Sequence, residues 1–271
     1  MLLYRTLSIF VLLPIGVTAI ILGGWYYAGL IVLFLGMAAW EYVRLLKTCG
    51  VQPARVLTIV GVIAIILGRA WNSFESTGWL LSLFTLAALT YHLVAYERGR
   101  DQAGSDFGAT MGGIIYIGMI GAYLISLRDL PHGKWWVFLV LPSVWLADAF
   151  AYFVGRRFGR RKLSPRLSPK KTWEGYVGGI VIGALLTLAL AWGMQTAVPE
   201  SGITPLRGLF IGLVMGIFPT LGDLGESMFK RQAGVKDSSN LIPGHGGFFD
   251  RVDSWLWAGV IGYYIITWFW L

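Results

Sequence analysis

Residues 135–154 read WWVFLVLPSVWLADAFAYFV, and this stretch decides what kind of protein the chain forms. It contains one charged side chain, Asp148, and its length matches the ~20 mainly apolar residues that a helix needs to cross a bilayer. Eight similar runs lie at about Leu2–Leu22, Trp25–Leu46, Val56–Ala70, Trp79–Tyr96, Phe107–Leu127, Tyr176–Trp192, Leu206–Glu226 and Val252–Leu271. The sequence therefore predicts an all-α, polytopic integral membrane protein with about nine transmembrane helices.

The composition agrees with this class. Hydrophobic residues make up 56% of the 271 residues and charged residues only 13%, whereas soluble domains average about 25% charged. Too few polar side chains exist to cover a water-facing surface, which excludes a soluble enzyme and a disordered chain. The runs are much longer than the ~10-residue alternating strands of a membrane barrel. A single cysteine, Cys49, excludes an internal disulfide. The first run lacks a small-residue cleavage site, so we expect it to be retained as a helix.

The distribution of cations predicts the orientation of the chain. Basic residues favour cytoplasmic loops, and a cytoplasmic N-terminus puts 18 of the 22 lysines and arginines on that side. The C-terminus is then periplasmic, and both long polar loops, 155–175 and 227–251, face the cytoplasm from the inner membrane. We expect residues 1–134 to form N-terminal transmembrane helices and residues 135–271 to form the catalytic region.

Carboxylates concentrate around the second of these loops. Residues 227–253 read SMFKRQAGVKDSSNLIPGHGGFFDRVD. Asp223 and Glu226, like Asp250 and Asp253, are three positions apart and can share a helix face. Magnesium binds oxygen ligands and keeps waters for a phosphate substrate, so we predict that these four residues hold a metal. As alternatives, Asp250 caps the last helix, Asp253 complements its dipole, and Glu226 is simply solvated.

The net charge of +8 indicates an anionic partner. Residues 155–171 carry eight cations and no anion. The simplest interpretation is a cytoplasmic basic segment that fixes the membrane topology or contacts anionic lipid. However, the segment 168–172 precedes a helix start, which attracts anions. Glycines in the segment 243–247 would let backbone N–H groups approach phosphate. No Walker cradle is present. The predicted phosphate contacts are Ser168, Lys170, Lys171, Thr172, Ser227, Lys230, Arg231, Lys236, His245, Gly246, Gly247 and Arg251.

Polar and small residues within the apolar runs give further predictions. Asp148 is a functional candidate because an acid at membrane depth is costly, and hydrogen bonding to a neighbouring helix is its alternative. We interpret Glu41 and His92 as interface or packing residues. Glycines spaced four apart predict close helix packing inside one chain, with a dimer contact as the alternative. These glycines are Gly179, Gly183, Gly208, Gly212 and Gly216.

The stretch 227–253 resembles, without a gap, the signature of the phosphatidate cytidylyltransferase (CDP-diacylglycerol synthase) family. The matching positions are Ser227, Lys230-Arg231, Lys236-Asp237, Ile242-Pro243, His245-Gly246-Gly247, Asp250-Arg251 and Asp253. The segment 168–175, SPKKTWEG, is also similar to that family, as is Asp148 followed by Ala151-Tyr152-Phe153 and Gly155. The resemblance is close over about residues 145–255. The N-terminal half is similar only in hydrophobic pattern and length.

The resemblance implies that CTP and phosphatidic acid react to CDP-diacylglycerol and pyrophosphate with Mg²⁺. It leaves open one or two divalent ions and an added monovalent cation. The implied catalytic residues are Asp223, Asp250, Asp253, Lys171, Lys230 and Arg231, with Glu226 a further metal ligand; the remaining phosphate contacts and Asp148 would bind substrate. Membrane lipids are expected partners, a homodimer is left open, and nucleic acid is not expected.

Three alternatives use the same features differently. A polyprenol kinase would also use CTP on a lipid but would release CDP. An archaeal-type ether-lipid cytidylyltransferase would release pyrophosphate from another lipid. A transporter predicts ionisable groups near the bilayer midplane, whereas most charge here lies at one membrane boundary.

Overall fold

The protein is described by a computed structural model that covers residues 2–242, 244 and 246–271, with the side chains of all of these except 2–9 and 11. Its α-helices are α1 Leu2–Leu22, α2 Gly24–Thr48, α3 Arg55–Asn72, α4 Glu75–Glu97, α5 Ala103–Gly113, α6 Tyr123–Asp129, α7 Gly133–Phe158, α8 Trp173–Ala197, α9 Pro205–Ile217, α10 Pro219–Gln232 and α11 Phe249–Phe269. A π-helical segment, Ile114–Met119, joins α5 to α6, and a short 3-10 turn, Pro199–Ser201, follows α8.

Every predicted apolar run is mainly helical, so the all-α polytopic class is confirmed. The run Phe107–Leu127 is interrupted by a turn at 120–122, and the run Leu206–Glu226 is interrupted at Phe218. Among the described residues, seven helical stretches are long and apolar enough to cross a membrane. They are Gly24–Thr48, Arg55–Asn72, Glu75–Glu97, Ala103–Asp129, Gly133–Phe158, Trp173–Ala197 and Pro205–Gln232. The count of nine spans and the sides on which the termini lie stay predictions.

The chain divides into two compact units that interleave along the sequence. The first unit is Met1–Ser126 with Phe229–Val252, and the second is Leu127–Met228 with Asp253–Leu271. The predicted division into N-terminal helices, residues 1–134, and a catalytic region, residues 135–271, stays a prediction.

In the first unit, α2 packs against α3, and α3 packs against α4 and the π-helical segment. The segment Phe229–Val252 joins this unit through aromatic contacts with α2. The ring of Phe248 lies edge-on to Phe34 at 5.2 Å, and that of Phe229 lies edge-on to Tyr42 at 5.4 Å. Edge-to-face geometry at these distances is a favoured aromatic arrangement.

In the second unit, α7, α8 and α9 pack through glycines. A Cβ added to Gly183 would lie 2.9 Å from Ala147 Cα, and one added to Gly212 would lie 2.6 Å from Ala184 Cα. Real Cβ atoms do not tolerate such distances, so the helices can approach this closely only because these positions lack a side chain. The prediction of close packing inside one chain is confirmed, and the homodimer stays a prediction.

The loop between α7 and α8 contains a short antiparallel hairpin that the sequence did not predict. Its strands are β1 Lys162–Ser164 and β2 Ser168–Thr172, with Lys162 opposite Thr172. Thr172 ends β2 and caps α8, where its Oγ1 accepts a hydrogen bond from the Gly175 N–H at 3.2 Å. Glu174 accepts a hydrogen bond from the Arg160 N–H at 2.9 Å. The hairpin is thereby tied to the start of α8 at both ends.

Candidate functional site

A cavity of about 550 Å³ opens in the second unit between α7, the hairpin, α8 and α10. Its charged lining residues are Asp148, Arg156, Lys162, Lys170, Lys171 and Asp223. The volume lies within the range of small-ligand pockets, ~300–1,000 Å³. Four cations against two carboxylates make the cavity suited to a polyanion. Five predicted site residues thus line one space: Asp148, Lys170, Lys171, Thr172 and Asp223.

The strongest contact in this cavity joins Lys171 on β2 to Asp223 on α10. Lys171 Nζ lies 2.5 Å from Asp223 Oδ2, with both side chains partly exposed. The helical path breaks between α9 and α10 at Pro219, a residue suited to a first helical position. Tyr176, which also lines the cavity, donates a hydrogen bond to the Ile217 carbonyl at 3.0 Å. The break and this hydrogen bond position α10 so that Asp223 faces the lysine.

A group of three carboxylates includes the same Asp223. One ligand oxygen from each of Asp223, Glu226 and Asp253 lies within 4.8 Å of the other two. Gly222 makes this approach feasible, since an added Cβ would lie 2.4 Å from the Asp253 carbonyl oxygen. Ser227 Oγ lies 3.5 Å from Asp223 Oδ1, at the outer limit of a hydrogen bond. Three hard oxygen donors form a set that Mg²⁺ prefers, so the residues fit the metal that the sequence predicts.

Asp250 takes its hydrogen bonds elsewhere, within the first unit. Its Oδ1 lies 2.6 Å from Lys230 Nζ. Its Oδ2 accepts hydrogen bonds from the Ser238 N–H at 2.9 Å, the Ser238 hydroxyl at 2.7 Å and the Gly247 N–H at 2.8 Å. The Gly247 bond reaches back across the start of α11 from Asp250, which lies in the first turn of the helix and is therefore not its N-cap residue. Asp250 and Lys230 therefore form a pair that holds the loop, whereas the group of three carboxylates consists of Asp223, Glu226 and Asp253. A metal contact of Asp250 stays a prediction.

This network controls the protonation of Asp250. Burial by itself raises the pKa of this carboxyl, but the Lys230 ammonium and the donors on Ser238 and Gly247 outweigh burial and hold the pKa at about 2. An opposite charge and direct hydrogen bonds both favour the ionised form. Asp250 is therefore a carboxylate at any physiological pH.

Glu41 on α2 is a site residue that the sequence analysis missed. Its side chain is fully buried, and its carboxylate accepts four hydrogen bonds from the segment 238–249. The donors are the Ser238 hydroxyl at 2.9 Å, the Ser239 hydroxyl at 2.5 Å, the Phe248 N–H at 3.1 Å and the Phe249 N–H at 2.7 Å. Gly247 has no room for a side chain, because an added Cβ would lie 2.5 Å from the Glu41 oxygens. Glu41 thus anchors the loop 238–248, which we call the signature loop, and the start of α11. Our interpretation of Glu41 as a packing residue understated its role.

The other predicted residues have separate surroundings. Ser168 lies on β2 opposite Ser164 and is not among the cavity-lining residues. Arg231 donates a hydrogen bond to the Val235 carbonyl at 3.1 Å. Lys236 and Arg251 are exposed. Gly246 has a φ of 79°, which favours glycine. His245 lies outside the described residues.

These features define a class, a helical integral membrane protein that carries a cation-lined cavity beside a group of carboxylates. The chain belongs to the cytidylyltransferase family, whose sequence pattern it matches over residues 3–269. It is 32% identical to the phosphatidate cytidylyltransferase of a Synechocystis strain, over 97% of this chain and 96% of the relative. It is 34% identical to the protein of the same name from Bacillus subtilis, over 86% of each chain. A third such protein, from Pseudomonas aeruginosa, is 33% identical over 94% of this chain and 93% of the relative.

Proposed function

We propose that this protein transfers the cytidylyl group of CTP to phosphatidic acid. A phosphate oxygen of phosphatidic acid attacks the α-phosphorus of CTP, the bond from that phosphorus to the bridging oxygen breaks, and pyrophosphate leaves. Support comes from membership of the cytidylyltransferase family. It also comes from relatives named phosphatidate cytidylyltransferase, which the chain matches over nearly their whole length. The enzyme is accordingly a nucleotidyltransferase.

The observation that carries the proposal is the Lys171–Asp223 contact in the cavity of the second unit. Lys171 and its neighbours Lys170, Arg156 and Lys162 supply the positive charge that two mutually repelling polyanions need. Their role is to bind and orient phosphates, which is positioning and electrostatics rather than covalent chemistry. The attacking phosphate is already an anion near neutral pH, so no side chain has to act as a general base.

Asp223, Glu226 and Asp253 are the residues that would hold Mg²⁺ in this proposal. The bound ion would neutralise charge on the transferring phosphoryl group and align its oxygens. Asp223 belongs both to this group and to the pair with Lys171, so it would link the metal ligands to the phosphate-binding cations. Asp250 and Lys230 instead hold the loop that carries Lys236. Phosphate contacts by Ser227, Arg231, Lys236, His245, Gly246, Gly247 and Arg251 stay predictions from the sequence.

The location is part of the same proposal. CTP is a cytoplasmic solute, and the excess of cations on loops 155–175 and 227–251 favours the cytoplasmic face of the inner membrane. Phosphatidic acid would reach the site from the lipid. Both polar substrates would then meet at one membrane boundary.

The test is to incubate the purified protein with detergent-dispersed phosphatidic acid and CTP labelled at the α-phosphate. We expect label in the lipid only when Mg²⁺ is present, with release of pyrophosphate. A polyprenol kinase would instead leave the label in CDP. Asp223→Asn should lower turnover by at least about a hundredfold, because metal neutralisation of the transferring group contributes several kcal/mol.

Glu200→Gln is the matched control, since Glu200 is an exposed acid in the turn after α8 and lies outside the cavity. It should retain full turnover. Labelling of lipid without any divalent ion, or wild-type turnover by Asp223→Asn, would contradict the assignment.

A further inference from the structure

A second cavity lies in the first unit and has no role in the reaction proposed above. It encloses about 980 Å³ between the ends of α2 and α4 and the starts of α3 and α5. None of its lining residues lines the cavity of the second unit. Its charged lining residues are Lys47, Arg55, Arg98, Arg100 and Asp106.

Three of these cations have no acidic partner among the described residues. Lys47, Arg55 and Arg98 are exposed and form no ion pair within the part of the chain that the structure describes. They come from three different elements, the end of α2, the start of α3 and the end of α4, yet they surround one space. Such a convergence leaves a concentrated positive charge that an anion can neutralise.

The floor of the cavity is held in place by the remaining two charged residues. Arg100 Nε lies 2.7 Å from Asp106 Oδ2, and Asp106 is only 1% exposed. Asp106 Oδ1 accepts a hydrogen bond from the Gln52 N–H at 2.7 Å. Arg100 also donates to the Gly50 carbonyl at 2.7 Å. These bonds tie the α2–α3 loop to the α4–α5 loop, so the helix ends that carry the three cations are held together before any ligand binds.

The other side of the cavity is apolar and exposed. Val56 on α3 is 69% exposed, and Val94 on α4 is 44% exposed. Ala87, about two helical turns from Val94 and further from the cations, lines the same wall. Both helices are apolar enough to cross a membrane, so this wall continues into the surface that faces lipid. The cavity therefore offers cations at one end and hydrocarbon contact at the other.

We propose that this cavity binds an anionic glycerophospholipid. The lipid phosphate contacts Lys47, Arg55 and Arg98, and an acyl chain runs along Val56 and Val94. Basic pockets between transmembrane helices are the usual sites for acidic headgroups. A free phosphate or nucleotide would satisfy the same cations but would leave the apolar wall uncovered, which is why the geometry favours a lipid.

The experiment measures lipid retention by native mass spectrometry of the full-length protein in detergent, with added dioleoylphosphatidylglycerol or dioleoylphosphatidylcholine. The wild-type protein should retain phosphatidylglycerol in preference to phosphatidylcholine. The triple variant Lys47→Gln, Arg55→Gln, Arg98→Gln should retain at least about tenfold less phosphatidylglycerol, given the electrostatic contribution of each cation. Far-ultraviolet circular dichroism verifies that the helix content is unchanged.

Arg44→Gln is the matched control for Arg55→Gln. Arg44 is an exposed cation near the same end of α2, it lies over Trp40 rather than in the cavity, and its loss changes the net charge equally. Arg55→Gln alone should weaken retention and Arg44→Gln should not, a comparison that decides the question even if the triple variant does not fold. Equal loss in both single variants, equal retention of phosphatidylcholine, or displacement of the lipid by inorganic phosphate or CTP would each overturn the proposal.

Discussion

Replacing Glu41 with glutamine should loosen the signature loop without unfolding the helices. The carboxylate accepts four hydrogen bonds from the segment 238–249, and a glutamine amide offers only one acceptor oxygen. About two of the four buried donors then face an NH₂ group. Each unsatisfied buried donor costs about 1–3 kcal/mol, so the anchored state of the loop should be destabilised by about 2–6 kcal/mol.

The assay is hydrogen–deuterium exchange at the Phe248 and Phe249 amides, which donate directly to Glu41. Because 1.4 kcal/mol corresponds to tenfold in an equilibrium constant, protection of these amides should fall by at least about tenfold in Glu41→Gln. Amides in α8, which belongs to the second unit, serve as an internal reference and should be unaffected. Glu97→Gln, which removes an exposed charge from the end of α4, is the matched control. Unchanged protection of Phe248 and Phe249 in Glu41→Gln would refute the anchoring role.

Three further outcomes test other parts of the structure. The pKa of Asp250 is lowered to about 2, so its ionised form stabilises the fold above pH 3.8 by about 2 kcal/mol. That stability should be lost as the pH falls from 3.8 towards 2, and thermal unfolding of Asp250→Asn should lack this component. Gly183→Leu should lower the melting temperature, because the added side chain forces α7 and α8 apart and such overpacking costs about 1–3 kcal/mol. Gly193→Ala is the control: nothing lies within 4 Å of its added Cβ, so its melting temperature should be unchanged. Lys171→Met should raise the KM for CTP more than it lowers kcat in steady-state kinetics, because Lys171 binds phosphate in the ground state. An unchanged KM would contradict this role.

The helices could be predicted from the sequence because burial in lipid requires long apolar runs, which are directly visible. Their ends were less predictable. The apolar run stops at Val154, but α7 continues to Phe158 through Arg156 and Arg157, because cations at a helix C-terminus complement its dipole. The hairpin Lys162–Thr172 was missed because its cationic strands carry no alternating apolar pattern.

The candidate site was partly predictable. Spacing of three residues brought Asp223 and Glu226 together correctly, since both lie on α10. The same rule could not tell which acid of α11 would join them, because that depends on the close approach at Gly222 and on the donors that surround Asp250. Glu41 was missed because its partners lie about two hundred positions away, although a lone acid within an apolar run was the signal that could have identified it.

The separation of Glu41 from its donors also has a consequence for biosynthesis. Ser238 follows Glu41 by 197 residues, and ribosomes add about 5–20 residues per second. For roughly 10–40 seconds, a newly inserted α2 must therefore hold an acid whose donors have not yet been translated. A nascent chain that stalls before residue 238 would carry that acid unsatisfied among apolar neighbours. The N-terminal helices therefore gain the hydrogen bonds to Glu41 only after the segment 238–249 has been translated.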